Sequence, residues 1–239
     1  MRVVRTLVLV LVAALVLVGQ PLPAEALTEQ STSVAFLPLL LTNPEALSIL
    51  PTHSSYVTDW GSIHVVGEVW NRSAQHLRSV QVSASIFDRS GRYLGSQSAF
   101  TYLDYLPSGY STCFDVTFLT PPDDFDPQRY NYSLHDASFS EGGKPLPALT
   151  LHSIQGGYDA RSGMYRITGE VRNDSNGPVD CVRPVGTLYD ASGRVIGCEV
   201  NTVEGHNLRQ GEIKPFNLFF DDRNYWDGAS YWLQVCGVQ

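Results

Sequence analysis

Leu188-Tyr189-Asp190-Ala191-Ser192-Gly193-Arg194-Val195-Ile196 places a turn between two apolar flanks, and Ile86-Phe87-Asp88-Arg89-Ser90-Gly91-Arg92-Tyr93-Leu94 places the same turn 102 residues earlier. An Asp that accepts turn hydrogen bonds and a Gly that tolerates positive φ make a tight hairpin with a bulge. The Asp also offers a calcium or catalytic reading, but a lone turn Asp is ordinarily structural. Two copies at a fixed interval mark a repeat, and the flanking sequence extends it. Gly67-Glu68-Val69 recurs as Gly169-Glu170-Val171, Asn71 and Ser73 as Asn173 and Ser175, and Leu106, Gly109, Phe114 and Phe118 as Leu208, Gly211, Phe216 and Phe220. About nineteen of seventy-three positions match without a gap, several times the chance level.

Within each copy the pattern is that of strands. In the second, residues 165–171, 182–190, 194–203, 212–220 and 230–235 alternate apolar and polar side chains, and Gly, Asn, Asp or Pro clusters bound them. No stretch after the leader sustains apolar residues at i, i+3, i+4 and i+7 over three turns. The expected fold is all-β, two tandem immunoglobulin-like antiparallel β-sandwiches, spanning residues 46–137 and 148–239 with a linker at 138–147.

Ahead of the repeat, Arg2 and Arg5 precede an unbroken apolar run over 7–18, and Ala24-Glu25-Ala26 follows. This is the pattern of a secretory signal peptide over 1–26, cleaved after Ala26; the run is too short for a bilayer span. Cleavage removes Arg2, Arg5 and Glu25 and makes the net charge of −8 one unit more negative. No later segment is apolar enough to cross a membrane, so the expected location is secreted or cell-surface. Residues 27–45, with Phe36-Leu37-Pro38-Leu39-Leu40-Leu41, form a linker or an added edge strand, and an exposed apolar edge invites pairing with another chain. Two lysines against twenty-four acidic residues argue against nucleic acid as a partner, since that affinity comes from neutralised phosphates.

The Gly-x-Val-x-Asn openings at 67–71 and 169–173, the Leu-Tyr-Asp-x-x-Gly hairpin at 188–193, and Phe216 and Phe220 before a final strand resemble the FxLYD domain, a family of exported bacterial and archaeal proteins. The first copy departs from it at the hairpin, with Ile86-Phe87-Asp88. The resemblance implies a small immunoglobulin-like sandwich in each copy and brings no catalytic residues.

No enzymatic constellation stands out. His53, His64, His76, His135, His152 and His206 are scattered and none recurs at the repeat interval, and no His-Glu-x-x-His, Gly-x-Ser-x-Gly, P-loop or dinucleotide motif is present. No catalytic residue, cofactor or metal site is expected. Asp123, Asp124 and Asp126, and Asp221, Asp222 and Asp227, leave open either a solvated turn or a calcium loop before the last strand of each copy. Asn71-Arg72-Ser73, Asn131-Tyr132-Ser133 and Asn173-Asp174-Ser175 are sequons, two of them in a repeated turn with its own structural reason.

Four cysteines in an exported chain favour disulfides. Strand phase points Cys181 and Cys236 outward on strands expected to be neighbours, which makes Cys181–Cys236 the expected bridge. Cys198, in phase with Ile196 and Val200, reads as a buried free thiol. Finally, Trp70, Phe100, Tyr102, Tyr105 and Tyr110 stand where the second copy has Arg172, Thr202, Glu204, Asn207 and Glu212. They are either a ligand surface or the filling of a core or inter-domain contact. The function expected is an exported, non-enzymatic binding, adhesion or spacer module whose partner is a cell-surface protein or glycan. The alternative is a carbohydrate-binding module, calcium-dependent or built on an aromatic platform, that accompanies an extracellular enzyme.

Overall fold

The computed structural model describes residues 46–119, 125–142, 146–205, 207–220 and 230–238. The signal segment, the linker at 27–45, Asp123, Asp124, Asp221, Asp222 and Asp227 lie outside them. All named elements among the described residues are strands, and every pairing is antiparallel.

The first copy is two sheets. In one, β3 (Ile63–Asn71) is central, β7 (Ser111–Phe118) lies on one side, and β1 (Leu47–Ile49) and β2 (Ser54–Val57) follow each other along the other. In its partner, β4 (Leu77–Asp88) is flanked by β5 (Tyr93–Phe100) and β6 (Tyr105–Leu106) on one side and β8 (Tyr130–Glu141) on the other. β8 therefore runs into the stretch expected to be linker. The second copy repeats this plan with β10 (Met164–Asn173) between β9 (Leu149–Asp159) and β13 (Ile213–Phe220), and β11 (Asp180–Tyr189) between β12 (Val195–Val200) and β14 (Ser230–Val238). The Leu77–Leu106 pairing of β4 with β6 reappears at the same interval as a single bridge, Val179–Leu208. β9 is one strand where β1 and β2 are two. Pro51, which has no N–H to give a ladder, stands in the break, and Ser153 takes its place in β9.

Many of the matched residues now have physical reasons. The Asn71 amide donates to the carbonyls of Gln75 and Leu106 at 2.8 and 3.0 Å while its oxygen accepts from the N–H and hydroxyl of Ser73. Asn173 does the same with Gly177, Leu208 and Ser175. Both asparagines are fully buried, so these two sequons serve the turn. Asp88 accepts from the N–H and hydroxyl of Ser90, the N–H of Arg92 and its guanidinium, and Asp190 holds Ser192 and Arg194 alike. Gly67 and Gly169 lie under phenyl rings: a β-carbon there would come within 2.7 Å of Phe114 and Phe216 respectively.

Three apolar clusters order the sheets. One, around Val65, Val82, Ile86 and Phe114, fills the first sandwich, and one around Ile167, Leu188, Phe216 and Leu218 fills the second. The third, with Leu103, Cys113, Val185, Cys198 and Cys236, lies between the copies, where β3 and β7 meet β11, β12 and β14. Each sandwich thus turns the outer face of one sheet toward the other, and those two sheets are covered on both sides. This explains β3, which is buried at nearly every residue, as a sheet with no wet face must be.

The disulfide expectation is corrected here. Cys113 and Cys198 are bonded across this contact, with Cα atoms 6.0 Å apart, so Cys198 is buried but not free. Cys181 and Cys236 are both free thiols. Their strands, β11 and β14, are neighbours as expected, but two things separate the sulfurs' environments. Cys181 sits in a bulge with φ at +49°, as Ser79 does in the first copy at +51°, and is exposed. The outward face that carries Cys236 is not solvent but the contact with the first copy, where Cys236 is 5% exposed. Outward from one sandwich meant inward to the pair.

Candidate functional site

The contact between the copies brings polar groups together as well. Glu68, 5% exposed on β3, accepts from Ser111 at 3.2 Å and from the Tyr189 hydroxyl of the other copy's hairpin. Burial pushes the Glu68 carboxyl above the usual carboxylate range, and burial beside Glu68 pushes the Tyr189 phenol well above its ordinary value. The Gln234 amide donates to the Ser111 carbonyl at 2.7 Å, Arg183 pairs with Asp104, and the Val195 N–H donates to the Thr52 carbonyl at 2.8 Å.

Beside this contact is a cleft of about 460 Å³. Leu103, Pro107 and Tyr110 line it from the first copy, residues 146–151 from the connection into β9, and Trp232, Leu233, Gln234 and Val235 from β14. Tyr110 and Trp232, each 57% exposed, give it two accessible aromatic rings.

The five aromatic residues singled out from the sequence do not form one surface. Tyr110 lines this cleft. Trp70 is 38% exposed with the Arg72 guanidinium 4.8 Å from its ring, and Phe100 is exposed on β5. Tyr102 is not a surface group: it packs against the third cluster, where burial and the Asp115 and Glu199 carboxylates push its phenol well up. Tyr105 is also buried, its ring 5.2 Å from His76 and its hydroxyl without a hydrogen-bond partner among the described residues. Sequence reading missed Trp232, because at the 102-residue interval it falls opposite Tyr130 and shows no aromatic-to-polar contrast between the copies.

His64 and Asp115 form the other titratable pair, Nδ1 to Oδ2 at 2.8 Å, with the Tyr56 ring stacked on the imidazole at 4.9 Å and Thr117 donating to Asp115 at 3.1 Å. The second copy has Arg166 donating to Asn217 at 2.5 Å between the same two strand positions. A cross-strand polar pair is thus part of the repeated sheet, and His–Asp is one version of it. Among the described residues no group of three His, Cys, Asp or Glu side chains is placed to hold a metal ion, and no helix is long and apolar enough to cross a membrane.

No family model matches the chain, and no curated protein matches it. Solved structures similar to it include the exo-chitosanase CsxA of Amycolatopsis orientalis, at 14% identity and TM-score 0.28 over 81% of this chain and 25% of that one. Red sea bream transglutaminase follows at 10% identity and TM-score 0.24, over 81% and 31%. A β-glucuronidase 2 of Bacteroides uniformis, in a calcium-binding mutant, matches at 13% identity and TM-score 0.20, over 72% and 23%. The chain spans about a quarter of the length of the exo-chitosanase. Likeness at this level carries no argument about what the chain does.

Proposed function

We propose that the chain is an exported, non-catalytic binding or spacer module of FxLYD type, acting at the cell exterior. The observation that carries this reading is the locked contact between the copies: a disulfide, a buried apolar cluster and a buried carboxyl hold two sandwiches face to face. Polar groups of the repeat, Asn71, Asn173, Asp88 and Asp190, are occupied in holding turns, and the His64–Asp115 pair has a structural counterpart in the second copy. A disulfide, with no membrane-spanning helix among the described residues, is compatible with an extracellular protein. A second reading, carbohydrate binding, is favoured by the exposed rings of Tyr110 and Trp232 on the junction cleft.

Expression with the leader intact, followed by intact-mass measurement of the exported product, tests the location; a mature chain beginning at Leu27 is the expected result. A hydrolase panel and a glycan array, the array run with and without EDTA, then test the role. No turnover and no EDTA effect are expected. Turnover of any substrate would make the chain an enzyme, and binding lost on chelation would restore the calcium reading.

A further inference from the structure

The first copy has a second opening, on its side, that none of the five aromatic residues touches. β2 is the edge of one of its sheets and β8 the edge of the other, and between them lies a cleft of about 560 Å³, in the range of small-molecule sites. Its chemistry is set by Ser55, Tyr56, Gln128, Tyr130, Asn131 and Tyr132, and no charged side chain lines it. The bodies of Tyr130 and Tyr132 pack against the first core, and their hydroxyls reach the edge. There Tyr130 donates to Ser55 at 2.8 Å, and the Tyr132 hydroxyl and His53 Nδ1 are 2.7 Å apart. Burial keeps both phenols neutral, and a phenol oxygen holding one hydrogen bond retains acceptor capacity. Asn131 and Gln128, exposed at the rim, add amide donors and acceptors.

The second copy treats the same edge differently. Tyr231 stands opposite Leu188 as Tyr132 stands opposite Ile86, so the two tyrosines correspond. The Tyr231 ring lies directly on Gly156 of β9, where a β-carbon would come within 2.3 Å of it. In the first copy Ser55 stands opposite Val65 as Gly156 stands opposite Ile167, the edge strand is broken at Pro51, and Tyr132 turns to His53 instead. Counting back from the tyrosines, Tyr130 and Asn131 fall where the second copy has Ala229 and Ser230.

We propose that this cleft binds one sugar unit of a neutral glycan, its hydroxyls on Asn131, Gln128 and the phenols. Phenol hydroxyls beside neutral amide donors and acceptors suit a polyol. An anion finds no cation among the lining side chains of an acidic chain, and an apolar ligand would strip water from amides and phenols without replacing it. The proposal rests on the carbohydrate reading above but assigns it to a different place from the junction cleft.

The test uses the full mature chain on an array of neutral oligosaccharides of glucose, galactose, mannose and xylose with their uronic-acid and sulfated counterparts, then titration of the strongest binder. The variants are Asn131→Ala, Tyr130→Phe and, at the junction cleft, Tyr110→Ala with Trp232→Ala, all checked by thermal melting. Asn131 is exposed, so its variant folds even if Tyr130→Phe does not. The expected result is a neutral binder whose affinity falls at least about tenfold with Asn131→Ala and stays within about twofold in the junction variant. Loss confined to the junction variant would overturn this assignment and leave carbohydrate binding standing there. Preference for the acidic glycans would overturn it as well, and absence of any glycan binding would sink both.

Discussion

Asn173 shows how much one buried side chain settles. Its amide is the donor for two carbonyls, the buried one of Leu208 and the half-buried one of Gly177, and its oxygen the acceptor for Ser175, so truncation orphans several groups at once. Each unsatisfied buried group costs about 1–3 kcal/mol, and Asn173→Ala is expected to lower the unfolding free energy by about 3 kcal/mol in urea titration, with Asn71→Ala close behind. Glu68 gives a pH test. Because burial raises its folded-state value, its contribution is complete below the ordinary carboxylate range near 4.5 and is lost as pH rises through the raised value. Glu68→Gln keeps a neutral group in place. The stability difference between variant and wild type is therefore expected to grow in the variant's favour from pH 4.5 upward. Asp88 and Asp190, held below the usual range by their turn hydrogen bonds, act in the opposite sense: their contribution is lost as pH falls. They are common to both proteins and cancel in the difference.

At the scale of elements, the repeated Gly and the repeated Phe are two halves of one contact. Gly169 carries the Phe216 ring with a backbone carbonyl, that of His152, 3.1 Å from where a β-carbon would stand. Neither neighbour has room to yield, so Gly169→Ala is expected to cost about 1–3 kcal/mol, read as a lowered melting temperature with an unchanged all-β circular dichroism spectrum. This pairing explains why the strands were legible: alternation, turn residues and the 102-residue interval all follow from local geometry that a linear sequence records. The bulges at Ser79 and Cys181 were not legible, because a non-glycine residue at positive φ leaves no compositional mark. Neither was the edge cleft. It depends on Ser55 against Gly156 and on which way one tyrosine turns, and no residue type states that.

The docking of the copies belongs to the whole molecule and was the part least readable beforehand. Val66 and Val185 were its trace, apolar side chains on faces that alternation assigns to water. Once that face is known to be covered, the cysteine pattern follows. Native alkylation is expected to label Cys181 and spare Cys236 until unfolding, with peptides holding Cys113 and Cys198 released together unless reduced. Removing the crosslink by Cys113→Ala with Cys198→Ala is expected to cost about 4 kcal/mol, the upper end of the usual range for a disulfide because the closed loop is long, measured against the oxidised wild type in the same denaturant series. The crosslink also has a mechanical side. Tension applied at the two ends passes through Cys113 and Cys198, and the segment between them, 85 positions along the chain, bears none of it. Stretched out, that segment would measure roughly 280–300 Å at 3.3–3.6 Å per residue. A chain crosslinked this way pays out that length only after reduction, and single-molecule pulling in the presence and absence of a reductant would display the hidden length as one missing step.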